Sequence, residues 1–332
     1  MTSGRVCVFE NGTRVSARTT AAATVTRPGG GATRYTLRAT PGFGRLRHMP
    51  TSTINGIELF YECVGSGPPL LLIHGLGSSG EDWAFQRDAF AQRHTLILVD
   101  LRGSGRSAKP AGPYAIAQFA ADLLALLDAL DVPHTDVLGF SLGGSVALEM
   151  ALAQPQRVRR LVLCNALADY RTNTWRKWLE AHAQLTLVRL LGVRGTARLV
   201  ARRMFPRAEQ AAMRQRVIDV VGANPKAAYV ATINALIGWS ALERLPQVRS
   251  ATLIVAAEHD YTPLAQRHAE ATRLPRAEVR VIAGSRHGTP FDAIDAFNAC
   301  VLDFLARGTR ALDADSPGHR AAIEGDEAAC IG

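Results

Sequence analysis

Hydrophobic positions along the chain follow two periodicities, and their alternation sets the expected architecture. From Ser52 the pattern is that of a hairpin: Thr53-Ile54, then Asn55-Gly56, then Ile57-Glu58-Leu59-Phe60-Tyr61. Asn-Gly supplies the positive φ angles that a two-residue hairpin turn needs. Further along come short apolar runs: Leu70-Leu71-Leu72-Ile73, Thr95-Leu96-Ile97-Leu98-Val99, Val137-Leu138 ahead of Gly139, Leu161-Val162-Leu163-Cys164 and Leu253-Ile254-Val255. They are too short for helices and read as strands buried on both faces, with Val279-Arg280-Val281-Ile282 as one more strand. Between them the period lengthens. Ile116, Phe119, Leu123, Leu127 and Leu130 keep helical spacing, as do Val146, Ala147, Met150 and Ala151 before Pro155. A last helix is expected over 293–305, with Ile294, Phe297, Val301 and Leu305 on one side. Strand and helix in alternation predict an α/β fold, a mostly parallel, doubly wound sheet with an N-terminal antiparallel hairpin.

The alternation stops over residues 166–245. Helices are expected there around 174–191, 197–203, 208–221 and 226–237, with Gly192, Gly195, Pro206 and Pro225 as breakers. A helical segment between two sheet strands suggests a cap over the strand ends, where open α/β sheets place their ligands. Trp175, Trp178 and Trp239 read as core residues of that cap rather than as a substrate platform. The expected division is therefore a core over 49–165 and 246–306 with the cap at 166–245. A mobile tail is expected over 307–332, where the composition turns small and polar.

Residues 1–48 carry eight Arg, one acid and almost no aliphatic periodicity. A transit peptide, a disordered leader and a true start at Met49 all fit that composition. The start at Met49 is the favoured expectation, because everything recognisably folded begins just after it. No apolar h-region marks a secretory signal, and no apolar run reaches the ~20 residues that span a bilayer.

Charge changes the picture once it is divided along the chain. The net +9 is the balance of +7 in residues 1–48, +8 in 166–245 and −6 in the remainder. The expected core is thus mildly acidic. No stripe of basic and aromatic residues of the kind that binds nucleic acid is present. The basic cap admits two readings: it steers a carboxylate-bearing substrate, or it is solvated helix surface in a chain with 35 Arg and 3 Lys. Cys7, Cys63, Cys164, Cys300 and Cys330 are widely spaced, without a C-x-x-C pair. They suit thiols in a reducing, cytoplasmic setting better than a disulfide framework or a zinc site.

The candidate chemistry centres on Gly139-Phe140-Ser141-Leu142-Gly143, a G-x-S-x-G signature between a predicted strand and a predicted helix. A serine in so tight a turn needs neighbours without bulk, and the new helix aims its first N–H groups at developing negative charge. Two further groups follow predicted strands: Asp260 and His287, in the order Ser, Asp, His. Ser141 is a weak nucleophile unless a base takes its proton, imidazole titrates near neutral pH, and a carboxylate can hold its tautomer. Glu258 remains an alternative acid, and His259 reads as a loop residue. Backbone N–H groups of Leu142 and Leu76 are the candidate oxyanion donors, with Gly77 as the alternative to Leu76. His74 reads as a structural hydrogen-bonder beneath that loop, and Asp100 and Arg102 as fixing the turn after their strand.

Taken together, His74-Gly75-Leu76-Gly77, Asp100-Leu101-Arg102-Gly103-Ser104-Gly105, Gly139-Phe140-Ser141-Leu142-Gly143-Gly144, Asp260 and Ser285-Arg286-His287 resemble the α/β-hydrolase superfamily over about residues 52–306. Leu163-Cys164-Asn165-Ala166 and the cap layout are similar to 3-oxoadipate enol-lactonase-like members. Serine at 141 separates the chain from the dehalogenase and epoxide hydrolase branches, which use aspartate there. The resemblance implies hydrolysis of a small carboxylic ester or lactone through an acyl-enzyme, with no metal or organic cofactor. C–C bond hydrolysis or cofactor-free perhydrolysis on the same triad, and a ligand-binding receptor that keeps the fold, are the rival readings. Substrate identity and oligomeric state are not legible in the sequence.

Overall fold

The computed structural model describes residues 51–314 and two upstream strands, β1 (Ala21–Thr26) and β2 (Ala32–Leu37), which pair antiparallel in a sheet of their own. The sequence reading gives that segment no regular structure. The rest of 1–50, and residues 315–332, lie outside the described residues, and most of the leader and tail expectations fall there.

The main sheet opens with β3 (Thr51–Ile54) and β4 (Ile57–Val64), joined by Asn55 and Gly56 at φ 49° and 77°. Next come β5 (Pro69–Ile73), the short α1 (Arg87–Ala91), β6 (Thr95–Val99) and α2 (Ile116–Ala129). After them stand β7 (Thr135–Phe140), α3 (Leu142–Ala153) and β8 (Val158–Cys164). A helical insertion follows: α4 (Trp175–Met204), α5 (Ala211–Gly222) and α6 (Lys226–Leu236). The sheet resumes with β9 (Ala251–Ala257), α7 (Leu264–Ala271), β10 (Ala277–Ile282), α8 (Thr289–Asp292) and α9 (Ile294–Ala314).

Strand order is β10-β9-β8-β7-β5-β6-β4-β3, parallel except for the β3–β4 and β4–β6 pairings. This is the mostly parallel sheet with an antiparallel leading hairpin that the alternation predicts. Alternate side chains of one strand feed two cores. Leu71 and Ile73 of β5 pack with α2 and α3 on one face, whereas Leu70 and Leu72 pack with Phe90 of α1 and Phe297 of α9 on the other. That is why these runs lack polar alternation.

Two elements depart from the sequence reading. The helix α7 has only eight residues, and its apolar positions are too few to mark a period. The helices expected on either side of Gly192 do form, and Gly192, non-helical at φ 67° and ψ 177°, breaks α4 between them. The final helix passes Gly308 and continues to Ala314, beyond the expected tail boundary at 307.

Candidate active site

Ser141 stands in the turn between β7 and α3 with φ 53° and ψ −117°, a conformation that costs a non-glycine residue free energy. Packing holds it there. A Cβ on Gly139 would meet the Gly143 carbonyl, and one on Gly143 would meet the Ile73 carbonyl, so the turn closes only without side chains at those two positions. Leu142 opens α3, where the first N–H groups have no partner inside the helix. Leu76 follows Gly75 in the loop after β5, and a Cβ built on Gly75 would lie 3.7 Å from the Ser141 Cβ. Leu142 thus directly follows the nucleophile, and the residue before Leu76 approaches Ser141 closely.

His287 comes from the loop after β10 and Asp260 from the loop after β9, three and two strands away from the β7 that carries Ser141. Their side chains meet: His287 Nε2 is 3.1 Å from Ser141 Oγ, and His287 Nδ1 is 2.7 Å from Asp260 Oδ1. A carboxylate on Nδ1 keeps the proton on that nitrogen and leaves the Nε2 lone pair to accept from the hydroxyl. Burial alone would raise the Asp260 carboxyl. The His287 hydrogen bond and charge, the Tyr261 N–H and the Arg267 guanidinium outweigh it and hold the carboxyl below the usual range. Glu258, the alternative acid, instead accepts from the Gly284 N–H at 2.8 Å, and His259 is exposed.

Supporting residues fix the approach of these loops. His74 Nδ1 donates to the Gly75 carbonyl at 2.7 Å, and its Nε2 accepts from the Leu101 N–H at 3.0 Å. It lies under the Leu76 loop as expected. Asp100 accepts from the N–H groups of Gly80 and Arg106 at 2.7 and 2.8 Å, tying two loops together. Arg102 turns away to Asp122 on α2, at 2.5 and 2.7 Å. Asp82 is buried and accepts from Ser78 Oγ and, at 3.4 Å, from the Gly75 N–H; burial pushes its carboxyl up.

Several residues escaped the sequence reading. Asn165 at the end of β8 donates to the His287 carbonyl and to Thr289 Oγ1, each at 2.8 Å, and accepts from the Ala257 N–H at 2.9 Å. It braces the histidine loop against β9. Arg267 of α7 is 1% exposed and binds Asp260 Oδ2 at 3.1 Å, Thr262 Oγ1 at 2.7 Å and the Ala166 carbonyl. Tyr261 stacks on the His287 ring at 4.4 Å, with Arg203 of α4 over its other face at 4.5 Å. Asp292 accepts from Ser285 Oγ at 2.7 Å and from the Arg286 N–H at 3.1 Å. No spacing rule marks these residues: Asn165 reaches the His287 loop across 122 positions, and the nearer partners of Arg267 and Asp292 are met through loops rather than along a helical or strand period.

The helical insertion touches the same loops. Asn224 Nδ2 donates to the Gly77 carbonyl at 2.6 Å, and Phe205 packs edge-on against Phe291 with ring centres 6.2 Å apart. A small cavity between them is lined by Ser78, Asp82, Phe205, Met213, Arg216 and Phe291. Trp239 fits the expected core role: partly buried, it donates from Nε1 to Glu149 at 2.9 Å. Trp175 and Trp178 do not; both are exposed, because α4 turns only its other face inward.

Comparison with known proteins identifies the fold family. The family model described as the alpha/beta hydrolase fold matches residues 68–293. A putative carbamate hydrolase, RutD, of Azorhizobium caulinodans is 32% identical over 266 residues, covering 77% of this chain and 98% of that one. The enol-lactonase of Burkholderia xenovorans LB400 superposes with a TM-score of 0.72 at 27% identity, covering 77% of this chain and 100% of that one. Est816, described as an N-acyl homoserine lactone degrading enzyme, superposes with a TM-score of 0.67 at 28% identity, covering 77% and 100%. With the family matched across most of its sheet and its insertion, this chain belongs to the α/β-hydrolase fold family and is a hydrolase.

Proposed function

We propose that the chain is a serine hydrolase that cleaves a small carboxylic ester or lactone through an acyl-enzyme, on a Ser141–His287–Asp260 triad. The observation that carries this reading is the continuous pair of hydrogen bonds from Ser141 Oγ through the His287 ring to Asp260. As Ser141 Oγ attacks the carbonyl carbon, His287 Nε2 takes its proton, and the carbonyl electron pair moves onto oxygen. The N–H groups of Leu76 and Leu142 receive that oxyanion. Collapse of the adduct breaks the bond to the leaving oxygen, which takes the proton from His287. A water then gives a proton to His287 as its oxygen attacks the acyl carbon, and Ser141 Oγ leaves with that proton. Asp260 stays ionised throughout and stabilises the imidazolium. Helices α4 to α6 act as a cap whose Asn224 and Phe205 contacts hold the loops in register.

The enol-lactonase and lactone-degrading relatives support a lactone or ester, in which the leaving group is an oxygen. The relative named as a putative carbamate hydrolase adds a carbamate as a second substrate class, which the same residues could cleave at its carbonyl. Turnover of a p-nitrophenyl ester, lost by roughly 10³-fold or more in Ser141→Ala with the fold intact, is the expected result. Unchanged turnover in that variant would remove the reading. Rates on a short ester, a γ-lactone and an N-alkyl carbamate then rank the acyl classes.

A further inference from the structure

The first half of α4, residues 175–191, is built asymmetrically. Its inner face places Val188, fully buried, and Leu185 against Val193, Ala197, Tyr229 and Ile233. Its outer face carries Trp175 (75% exposed) and Leu190 (77% exposed), with Trp178, Leu179, Leu187 and Leu191 also open to solvent. Trp178 and Leu179 stand one turn on from Trp175, as Leu190 and Leu191 do from Leu187, at i+3 and i+4 spacing, so each set forms a contiguous apolar cluster. Of the nine exposed large hydrophobic residues among those described, six lie in these residues and a seventh, Leu199, lies further along α4. So much apolar surface concentrated on one element marks an interaction face rather than scattered surface residues.

Charge says what the face meets. Residues 175–203 hold seven Lys/Arg against Glu180 as the lone acid. Lys177 pairs with Asp169, Arg194 with Asp219, and Arg203 stacks on Tyr261. Arg189, Arg198 and Arg202 are exposed and have no carboxylate partner among the described residues. Lys226 adds a further cation, donating to the Arg189 carbonyl at 3.0 Å. An isologous dimer through this face would set the same cations against their own copies. An anionic lipid surface instead offers hydrocarbon for the tryptophans and leucines and phosphate for the arginines at one boundary, where Trp residues settle.

We propose that the outer face of residues 175–191 docks the protein onto an anionic lipid bilayer, with α4 lying in the interface over roughly 25 Å at 1.5 Å per residue. Arg189, Arg198, Arg202 and Lys226 supply the electrostatic part of the contact. The contact is peripheral: no described helix is long and apolar enough to cross a membrane. It is independent of the reaction proposed above, since binding is read without turnover.

The test is co-sedimentation of the full chain with vesicles of phosphatidylcholine alone and of equimolar phosphatidylglycerol and phosphatidylcholine. Binding to the anionic vesicles is expected to be roughly ten-fold or more tighter, and to weaken when salt rises from about 0.1 M to about 0.5 M. Replacing Trp175, Trp178 and Leu190 together by serine should cut it by about ten-fold or more, with helical circular dichroism unchanged. Arg189→Gln, Arg198→Gln and Arg202→Gln together should abolish the preference for anionic vesicles. Equal binding to both vesicles, no binding, or undiminished binding by the serine variant overturns the proposal. So does a dimer in sedimentation equilibrium that the serine variant dissociates, because the face then belongs to a second copy.

Discussion

Helices α3 and the first half of α4 are both rich in apolar residues, yet they meet opposite surroundings. Every residue of α3 from Leu142 to Ala151 is buried, between the sheet and α2, and Glu149 among them is paired with Arg244 and the Trp239 indole. The first half of α4 buries Val188 and opens its tryptophans and most of its leucines to solvent. The difference lies in what flanks each helix. A helix that directly follows a central strand is covered by the layer that strand belongs to. A helix in an insertion has a neighbour on one side alone, here α5 and α6. Apolar content therefore identifies a packed face only when the topology supplies a second surface.

The comparison can be broken from the buried side first. Arg267 is enclosed with Asp260 and Glu270, its guanidinium 3.1 and 3.8 Å from their carboxylates. Arg267→Met should cost about 3–5 kcal/mol in urea unfolding, since it leaves buried carboxylates without their cation. If Arg267 also orients Asp260, kcat should fall while KM stays near its original value; an unchanged kcat would limit Arg267 to a structural role. Next, Met150→Ala in α3 should cost about 2–5 kcal/mol, because the site is closed on all sides and collapses poorly. A cost below about 1 kcal/mol would mean that α3 is less enclosed than its packing implies.

Acid titration gives a smaller effect with a defined sign. Burial would raise Asp100, but its bonds from Arg106 and Gly80 outweigh that and hold it below the usual range; Asp260 is lowered as well. A carboxyl lowered in the fold stabilises fully above its unfolded-state value and loses that contribution as pH falls through the folded value. Urea midpoints should therefore drop between about pH 4 and pH 2, and Asp100→Asn should flatten that part of the curve. Asp82, Glu270 and Asp292 act in the opposite direction: burial raises them, so their contribution declines as pH rises. The smallest effect is expected on the open face. Leu190→Ala should change stability by less than about 0.5 kcal/mol. A loss comparable with that of Met150→Ala would show that the face is covered in solution.

Much of the sheet was legible beforehand for a physical reason. A strand buried on both faces must be apolar at every position, and an Asn-Gly turn must carry positive φ, so Leu70–Ile73 and Ile54–Ile57 announce themselves. The serine elbow is equally local, since its close backbone contacts allow only glycine two residues either side of Ser141. The N-cap and hydrophobic period of short elements such as α7 are too brief to stand out, and α9 continues past Gly308 because one glycine costs a helix only about 1 kcal/mol.

By itself, then, the sequence determined the alternation of the main sheet strands with their longer helices, the elbow, and the residue types able to act as nucleophile, base and acid. These follow from local sterics and from periodicities that a single segment carries. Which distant groups touch was decided by tertiary structure alone: Glu258 aimed at Gly284 while Asp260 faces His287, Asn165 under the histidine loop, Arg267 behind the acid, and Trp175 turned outward. Hydrogen bonds and exposure at those positions depend on the relative placement of strands far apart in the chain, and no local pattern encodes it.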